Sequence, residues 1–352
     1  MTGVADPAAL DGRPPRGRWA PSPTGPLHLG SARTALAAWL SVRSRRGTLI
    51  WRIEDLDPPR TVPGAAEEQL ADLAWLGLDW DEGPRPDGGG EAGPHGPYRQ
   101  SLRGELYRRA LVRLAAAGRL FPCGRSRKDL EGLASAPHGT GGVPPYPTSL
   151  RPERLEPGWF ERLEASAKPD AAAGPDAAIR FRVDDEPVRF ADRVRGEVEE
   201  RVAETVGDFV LRRRDGLWAY QLAVVVDDLA MGVDEVVRGA DLLASTGRQI
   251  QLARALGGAR PAYAHLPLVL NARGDKLSKR DGGATLAELR AVGVAPERVT
   301  GWLAWTLGLI ERPRPAAPRE LVPLFAWERL RRDDWVLSGD PVAAVGGGRR
   351  GS

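Results

Sequence analysis

The segment PSPTGPLHLGS at 21–31 contains residues suited to binding a phosphate group. It leads from an expected short strand through a tight loop into an expected helix, whose first N–H groups and partial positive charge attract anions. His28 lies at this point and could donate a hydrogen bond to a phosphate oxygen, while Gly30 leaves room for a flat ring. Taken alone, His28 is better explained as a loop histidine whose hydrogen bonds are satisfied.

A second segment, KLSKR at 276–280, concentrates positive charge on a loop flanked by glycines. Lys276 and Lys279 are half of the four lysines in a chain whose lysines and arginines together number 50. Such cations could neutralise the charge that develops on a leaving pyrophosphate. A solvated basic loop is the alternative, and the scarcity of lysine elsewhere argues against it.

Three further side chains could bind charged groups. Glu54 follows an expected strand, at the sheet edge where open α/β folds bind ligands, and its carboxylate could hold an ammonium group. A surface ion-pair cluster with Arg52 and Arg60 is the alternative. Tyr220 fits a core tyrosine equally well, whereas Arg238 follows two valines and requires a partner.

Composition limits the class of protein. The chain has 352 residues with 42% hydrophobic and 28% charged residues, which is typical of a globular protein of about two domains. No apolar run is long enough for a membrane span, and the first 15 residues lack the apolar core of a secretory signal. Cys123 is the single cysteine, so no internal disulfide can form. We therefore expect a cytoplasmic protein with no membrane partner.

Apolar periodicity predicts the elements that would position these side chains. Leu29, Leu36 and Leu40 recur at helical spacing, which predicts a helix at about 28–45. Alternating strand and helix signals favour an α/β fold with a parallel sheet, interrupted by an insertion rich in Pro, Gly and Ala. Further strands are expected at 48–53, 179–183, 209–213 and 266–270, and further helices near 70–77, 102–118 and 246–256.

The motifs occur in a set order that resembles a known family. HLGS and KLSKR resemble the HIGH and KMSKS signatures of the class I aminoacyl-tRNA synthetases. GRWAPSPTGPLHLGSARTAL, RIEDLDPPR, LGLDWDEGP and YQLAVVVDD resemble the glutamyl-tRNA synthetase group, and the similarity runs from about residue 18 to about residue 309. The resemblance implies a Rossmann-like class I catalytic domain with an inserted subdomain and a short helical C-terminal part.

One subfamily fits more closely. DPPR at 57–60 and VRGADLL at 237–243 resemble the glutamyl-Q tRNA(Asp) synthetases, which are like a glutamyl-tRNA synthetase catalytic domain without the anticodon-binding part. The segment after Arg280 is too short for a large domain of that kind. The expected division is a flexible tail at 1–17, the two halves of the catalytic domain at 18–123 and 201–285, an insertion at 124–200, a helical C-terminal region at 286–345 and a tail at 346–352.

The resemblance also implies a reaction and a site. ATP with Mg²⁺ would activate L-glutamate as glutamyl-adenylate, and the glutamyl group would pass to queuosine in the anticodon loop of tRNA(Asp). His28, Lys276 and Lys279 would steady the phosphates, and ATP would contact His28, Gly30 and Lys279. Arginines and a tyrosine hydroxyl suit carboxylates, and a glutamate suits the ammonium group. The implied glutamate-binding residues are Arg18, Ala20, Ser22, Glu54, Tyr220 and Arg238.

One feature departs from the family pattern. Related proteins often bind zinc through Cys-x-Cys followed by Tyr-x3-Cys, whereas this chain reads CGR at 123–125 and YPTSL at 146–150. Cys123 and Tyr146 alone cannot complete a tetrahedral site, so we expect no structural zinc.

Other functions stay open at this stage. The chain could charge the 3′ end of tRNA(Glu), pass glutamate to a carrier, or be a non-catalytic paralogue that binds tRNA or glutamate. The intact residues His28, Lys276, Lys279 and Glu54 argue against a loss of catalysis. We expect a monomer.

Overall fold

The computed structural model of the chain describes residues 13–125, 145–166, 177–275, 284–337 and 339–346. Within these ranges the strands are β1 Arg16–Trp19, β2 Thr48–Trp51, β3 Gly83–Pro84, β4 Glu91–Ala92, β5 Leu120–Cys123, β6 Ala178–Phe181, β7 Val188–Asp192, β8 Gly196–Glu200, β9 Phe209–Arg212, β10 Glu235–Gly239, β11 Ala262–Leu266, β12 Val269–Leu270 and β13 Trp335–Val336.

The α-helices of the same ranges vary in length from one turn to about four turns. They are α1 Leu29–Ser44, α2 Ala65–Trp75, α3 Gly104–Ala116, α4 Trp159–Ser166, α5 Val202–Thr205, α6 Tyr220–Ala230, α7 Thr246–Ala255, α8 Leu286–Ala291, α9 Pro296–Leu307, α10 Pro318–Leu321 and α11 Pro341–Gly346. No helix in this part of the chain has both the length and the apolar character that crossing a bilayer requires.

A six-stranded sheet in the order β2-β1-β10-β11-β7-β8 forms the centre of the fold. Every neighbouring pair is parallel except β7 and β8. All residues of β11 and most of β10 are buried, as expected for parallel strands covered on both faces. The predicted α/β fold with a parallel sheet is thus confirmed.

A second, three-stranded sheet is antiparallel and has the order β5-β6-β9. Its strands come from three separate stretches of the chain, two of them outside the segment 124–200. Conversely, β7 and β8 lie inside that segment and pair within the central sheet. The domain boundaries drawn from the sequence stay a prediction.

Helix α1 connects the central sheet to the C-terminal helices. Leu29, Leu36 and Leu40 are almost completely buried, which accounts for the helical spacing seen in the sequence. Trp302 and Leu303 of α9 belong to the same hydrophobic core. The C-terminal helices are therefore packed directly behind α1, the helix that His28 precedes.

The strand expected at 266–270 has the wrong bounds, because this range holds only the last residue of β11 and the two residues of β12. Leu266 ends β11 and Val269 begins β12, with Pro267 between them. Proline has no backbone N–H group to donate within a sheet, so the chain leaves the central sheet at this residue. It then pairs with β13, near the C-terminal end.

Candidate active site

A cavity of about 470 Å³ lies at the C-terminal edge of the central sheet, beside the first turn of α1. This is the edge at which open parallel sheets bind their ligands. The cavity walls bring together eight of the residues expected at the site, namely Arg18, Ala20, Ser22, His28, Gly30, Glu54, Tyr220 and Arg238. Lys276 and Lys279 lie outside the described residues. The roles of all ten residues stay predictions.

His28 caps the N-terminus of α1. Its Nδ1 accepts a hydrogen bond from the backbone N–H of Ser31 at 3.2 Å, and its Nε2 lies 3.1 Å from the Ser31 hydroxyl. Since Nδ1 accepts, a neutral ring carries its proton on Nε2. A Cβ at Gly30 would lie 3.1–3.2 Å from two ring atoms of His28, so the glycine leaves room for this imidazole.

Both sides of the loop before His28 are anchored. Gln69 of α2 donates to the carbonyl oxygens of Ser22 at 3.2 Å and Gly25 at 2.8 Å. On the other side, the residues that follow KLSKR return to this loop. Leu29 N–H bonds to the carbonyl of Ala284, and Leu286 N–H bonds to the carbonyl of Leu27. Ala284 is the first described residue after Lys279, and its carbonyl oxygen is hydrogen-bonded next to His28.

A buried charge network lies below the cavity. Arg52 is completely buried and donates to Asp228 Oδ1 at 2.7 Å and to Glu54 Oε1 at 2.9 Å. Arg18 Nε lies 3.4 Å from the same Asp228 oxygen. The alternative of a surface cluster around Glu54 is therefore wrong, and the exposed Arg60 pairs with the partly exposed Asp57 instead.

The network sets the charges of its carboxylates. Burial raises the pKa of Glu54, and the charges of Arg52 and Arg18 oppose this rise only in part. Burial also acts to raise the pKa of Asp228, but Arg18 and Arg52 more than offset it and hold the pKa below its usual value. Asp228 therefore stays ionised between the two arginines, and Glu54 is the carboxylate that a ligand cation would stabilise most.

Arg238 projects from β10 and is 4% exposed. Its Nε donates to His265 Nε2 at 3.0 Å and its NH2 donates to the Thr246 hydroxyl at 2.9 Å. Its NH1 is buried without a hydrogen-bond partner in the described protein. Across the cavity, burial raises the pKa of Tyr220, so its hydroxyl keeps its proton and can donate. These groups can bind a carboxylate.

A second, larger cleft of about 1000 Å³ adjoins this cavity and shares Ser22, Glu54, Arg60 and Tyr220 with it. Strands β6 and β9 of the antiparallel sheet line its far side, and Trp218 lines it as well. Several exposed arginines lie along this cleft, namely Arg60, Arg125, Arg213 and Arg214. The surface is suited to an anionic partner with flat rings.

Cys123 and Tyr146 meet at the base of that antiparallel sheet. The thiol sulfur lies 3.6 Å from the tyrosine hydroxyl, and the guanidinium carbon of Arg180 lies 4.2 Å from the tyrosine ring centroid. The part of the chain that the structure describes contains no cluster of three or more His, Cys, Asp or Glu residues that could hold a metal ion. The absence of a structural zinc stays a prediction.

Three buried residues behind the cavity, Asp228, His265 and Asp192, were not singled out from the sequence, and Arg52 was considered there only as part of a surface ion-pair cluster. Asp228 and Arg52 lie in quoted motifs, but nothing in their spacing shows that they meet. His265 and Asp192 lie in segments without any motif. The one available signal was that a buried Arg238 needs a partner, and the structure identifies His265 and Thr246 as its partners.

Known proteins resemble the chain over most of its length. Residues 16–307 match the family described as tRNA synthetases class I (E and Q), catalytic domain. The chain is 51% identical to the glutamyl-Q tRNA(Asp) synthetase of Symbiobacterium thermophilum over 333 residues, which cover 94% of this chain and 98% of that protein. The protein of the same name from Nitratidesulfovibrio vulgaris is 47% identical over 325 residues, covering 92% and 96%.

Solved structures agree with these sequence relatives. A glutamate tRNA ligase from Elizabethkingia meningosepticum, crystallised with its amino acid, has a TM-score of 0.79 at 29% identity, covering 95% of this chain and 68% of that chain. The glutamate-tRNA synthetase of Elizabethkingia anophelis has a TM-score of 0.78 at 30% identity, covering 94% and 69%. These likenesses confirm the expected class I catalytic fold. The chain therefore belongs to the class I tRNA synthetases, ligases that use ATP, and within them to the group of relatives named glutamyl-Q tRNA(Asp) synthetase.

Proposed function

We propose that the protein activates L-glutamate with Mg-ATP and transfers the glutamyl group to queuosine in the anticodon loop of tRNA(Asp). The observation that carries this proposal is the cavity that gathers eight of the expected site residues, in a chain 51% identical to a glutamyl-Q tRNA(Asp) synthetase. ATP and tRNA are the substrates, so we place the reaction in the cytoplasm.

Glutamate would be bound by charged and polar side chains that line the cavity. The buried NH1 of Arg238 and the protonated hydroxyl of Tyr220 suit a carboxylate, and Glu54 suits the ammonium group. Glutamine would leave the arginine charge without an anionic partner in a buried site. We therefore expect strong discrimination against glutamine, because unpaired buried groups are costly.

Activation would take place at the N-terminus of α1. An α-carboxylate oxygen of glutamate forms a bond to the α-phosphorus of ATP, the bond to the bridging oxygen breaks, and pyrophosphate leaves with the electron pair. His28 can donate its Nε2 proton to a phosphate oxygen, and Lys276 and Lys279 would neutralise the leaving group. Mg²⁺ enters as the counterion of ATP, and it balances the charge of the phosphates.

Transfer would take place where the two cavities meet. A hydroxyl group of the cyclopentene-diol of queuosine attacks the carbonyl carbon of the adenylate, which releases AMP and a proton. The arginine-lined cleft suits the phosphates of a single-stranded RNA loop. An acceptor bound there reaches the glutamate past Ser22, Glu54 and Tyr220.

The test is transfer of labelled glutamate, with ATP and magnesium, to tRNA(Asp) with and without queuosine. We expect label only on the modified tRNA, and ribonuclease mapping should place it in the anticodon-loop fragment. Label at the 3′ end of tRNA(Glu) would contradict the proposal that queuosine is the acceptor. Glutamate-dependent ATP–pyrophosphate exchange without label on either tRNA(Asp) would also overturn it, in favour of a carrier. Absence of that exchange would overturn activation itself.

A further inference from the structure

Three buried side chains on neighbouring parallel strands form a chain of hydrogen bonds that ends at the candidate glutamate cavity. Asp192 ends β7, His265 lies on β11 and Arg238 lies on β10, and each is less than 5% exposed. Asp192 Oδ2 lies 2.6 Å from His265 Nδ1, and His265 Nε2 lies 3.0 Å from Arg238 Nε. Arg238 and His265 are register partners in the sheet.

The geometry fixes the protonation state of the imidazole. Arg238 Nε can only donate, so His265 Nε2 must accept, and the ring proton must be on Nδ1, where Asp192 accepts it. Burial lowers the pKa of His265 below its usual value, and the charges of Arg238 and Arg18 add to this effect while Asp192 opposes it. The ring is therefore neutral at physiological pH.

A neutral partner has a consequence for the charge of Arg238. A buried arginine that pairs directly with a carboxylate is neutralised, as Arg52 is by Asp228. Here an imidazole ring separates the guanidinium from Asp192, so Arg238 is held in place without being neutralised at contact distance. Its NH1 stays without a hydrogen-bond partner among the described residues.

We propose that His265, with its tautomer set by Asp192, is a positioning residue that orients the Arg238 guanidinium and preserves its charge for the carboxylate of the amino-acid substrate. This inference rests on the proposed glutamate site. It adds a specificity role for two residues that do not line the cavity.

The substitution Asp192→Asn tests the tautomer directly. Asp192 Oδ1 accepts from the backbone N–H groups of Val194 at 3.0 Å, Arg195 at 2.9 Å and His265 at 3.2 Å. An asparagine must keep its oxygen at that position, so its amide NH2 group faces His265 Nδ1. The ring then carries its proton on Nε2, where the Thr246 hydroxyl at 3.2 Å can accept it, and the Nε–H of Arg238 loses its acceptor.

The readout is ATP–pyrophosphate exchange with glutamate varied at saturating ATP, and then with ATP varied at saturating glutamate. We expect Asp192→Asn to raise KM for glutamate by about 10- to 100-fold, which matches the loss of one charge-assisted hydrogen bond. The KM for ATP should stay within about threefold of wild type, a margin well below one such bond.

A second variant and a control separate positioning from loss of folding. His265→Gln restores an acceptor near the Nε2 position, because its amide oxygen can face Arg238, and it should keep KM for glutamate closer to wild type than His265→Ala does. The control is Ser41→Ala, which removes a buried hydrogen bond to Glu235 at the other end of β10. It should lower stability without changing KM for glutamate.

The outcomes separate the inference from the proposed function. If wild type lacks glutamate-dependent exchange, the proposed function fails and the inference fails with it. If wild type is active and folded Asp192→Asn keeps its KM for glutamate, the positioning role alone is overturned. A parallel rise of KM for both substrates, or the same rise in Ser41→Ala, also overturns it, since a general loss of structure then explains the change.

Discussion

The carboxylate of Asp228 forms ion pairs with two arginines. Its Oδ1 lies 2.7 Å from Arg52 and 3.4 Å from Arg18, and only Arg18 and Glu54 of this network line the cavity. Removing two cations from water is costly unless a buried anion compensates them. Asp228 therefore compensates the buried charge of both arginines, one of which lines the cavity.

Replacing Asp228 by asparagine should be strongly destabilising. The change keeps the shape but removes the charge, which leaves Arg18 and Arg52 undercompensated, and breaking a buried ion pair costs about 3–5 kcal/mol. Urea unfolding followed by circular dichroism measures the change in the free energy of unfolding. Asp57→Asn, which breaks the exposed pair with Arg60, is the matched control and should cost less than about 1 kcal/mol. Equal losses would contradict the network.

Lys279→Ala should lower the rate of adenylate formation by about 10²- to 10³-fold if the ammonium group stabilises the transition state. The thermal unfolding midpoint should stay unchanged. The measurement is ATP–pyrophosphate exchange at saturating glutamate. Lys168→Ala is the control, as another of the four lysines in the chain. A rate for Lys279→Ala near that of the control would remove Lys279 from the mechanism.

Sequence reasoning at the residue scale found the groups that face the cavity but missed those behind them. Gly30 and His28 belong to one short motif, whereas His265 lies 73 positions from Asp192 and 27 from Arg238. Partners so far apart have no periodic signal in the chain. They become neighbours only because β7, β11 and β10 are adjacent in the sheet.

Helices α2 and α8 flank the loop before His28, and a buried carboxylate lies between them. Asp72 of α2 is fully buried, and its Oδ1 lies 3.6 Å from Arg290 of α8. Burial raises the pKa of Asp72 to about 6, with Arg290 opposing the rise. The folded state therefore binds this proton more tightly than the unfolded chain does, where the pKa of an aspartate is about 4.

The sign of the resulting pH dependence follows from linkage. Asp72 contributes stability in its protonated form, and this contribution is lost as the pH rises from about 4 through about 6. The substitution Asp72→Asn removes this titration. Relative to wild type, the free energy of unfolding of the variant should therefore rise by up to about 3 kcal/mol between pH 4 and pH 7.5. Urea unfolding at both pH values measures the difference. Glu67→Gln, exposed on the same helix, is the control, and a pH-independent difference for Asp72→Asn would contradict the assignment.

At the element scale, the apolar periodicity of the sequence predicted several of the helices. The helix expected at about 28–45 is α1, and those expected near 102–118 and 246–256 are α3 and α7, since apolar residues recur in each at helical spacing. Strand β10 was not predicted, because its five residues include Glu235 and Arg238, which are buried only through partners from other elements. The division at Pro267 was missed for a similar reason, because β13 lies more than 60 residues further along.

Considered as a whole, the molecule holds its antiparallel sheet together with arginines. Arg151 donates to both oxygens of Asp208 at 2.7 and 2.8 Å, and the same carboxylate accepts from the backbone of Val183 at 2.9 Å. Arg180 adds a cation–π contact to Tyr146. These contacts join strand β6 and the neighbourhood of β9 to the segment 146–151, and the thiol of Cys123 contacts Tyr146 of that segment.

We expect the purified protein to contain well below one zinc ion per chain. Cys123 and Tyr146 supply too few ligands for a tetrahedral site, and their side chains contact each other directly. Metal analysis by plasma mass spectrometry measures the content, and incubation with a chelator should leave the thermal unfolding midpoint unchanged. Stoichiometric zinc, or a lower midpoint after chelation, would contradict this.

Sedimentation of the same sample tests the expected monomer.

The order of strands also has a consequence for how the protein is made. Strand β1 is synthesised early, yet its neighbour on one side is β10, and Gly17 pairs with Glu235. At 5–20 residues per second a ribosome needs roughly 10–45 s to cover that distance. During this time β1 presents an unpaired edge, which is a site for aggregation. We therefore expect the edge of β1 to be a point of aggregation in nascent chains until β10 emerges.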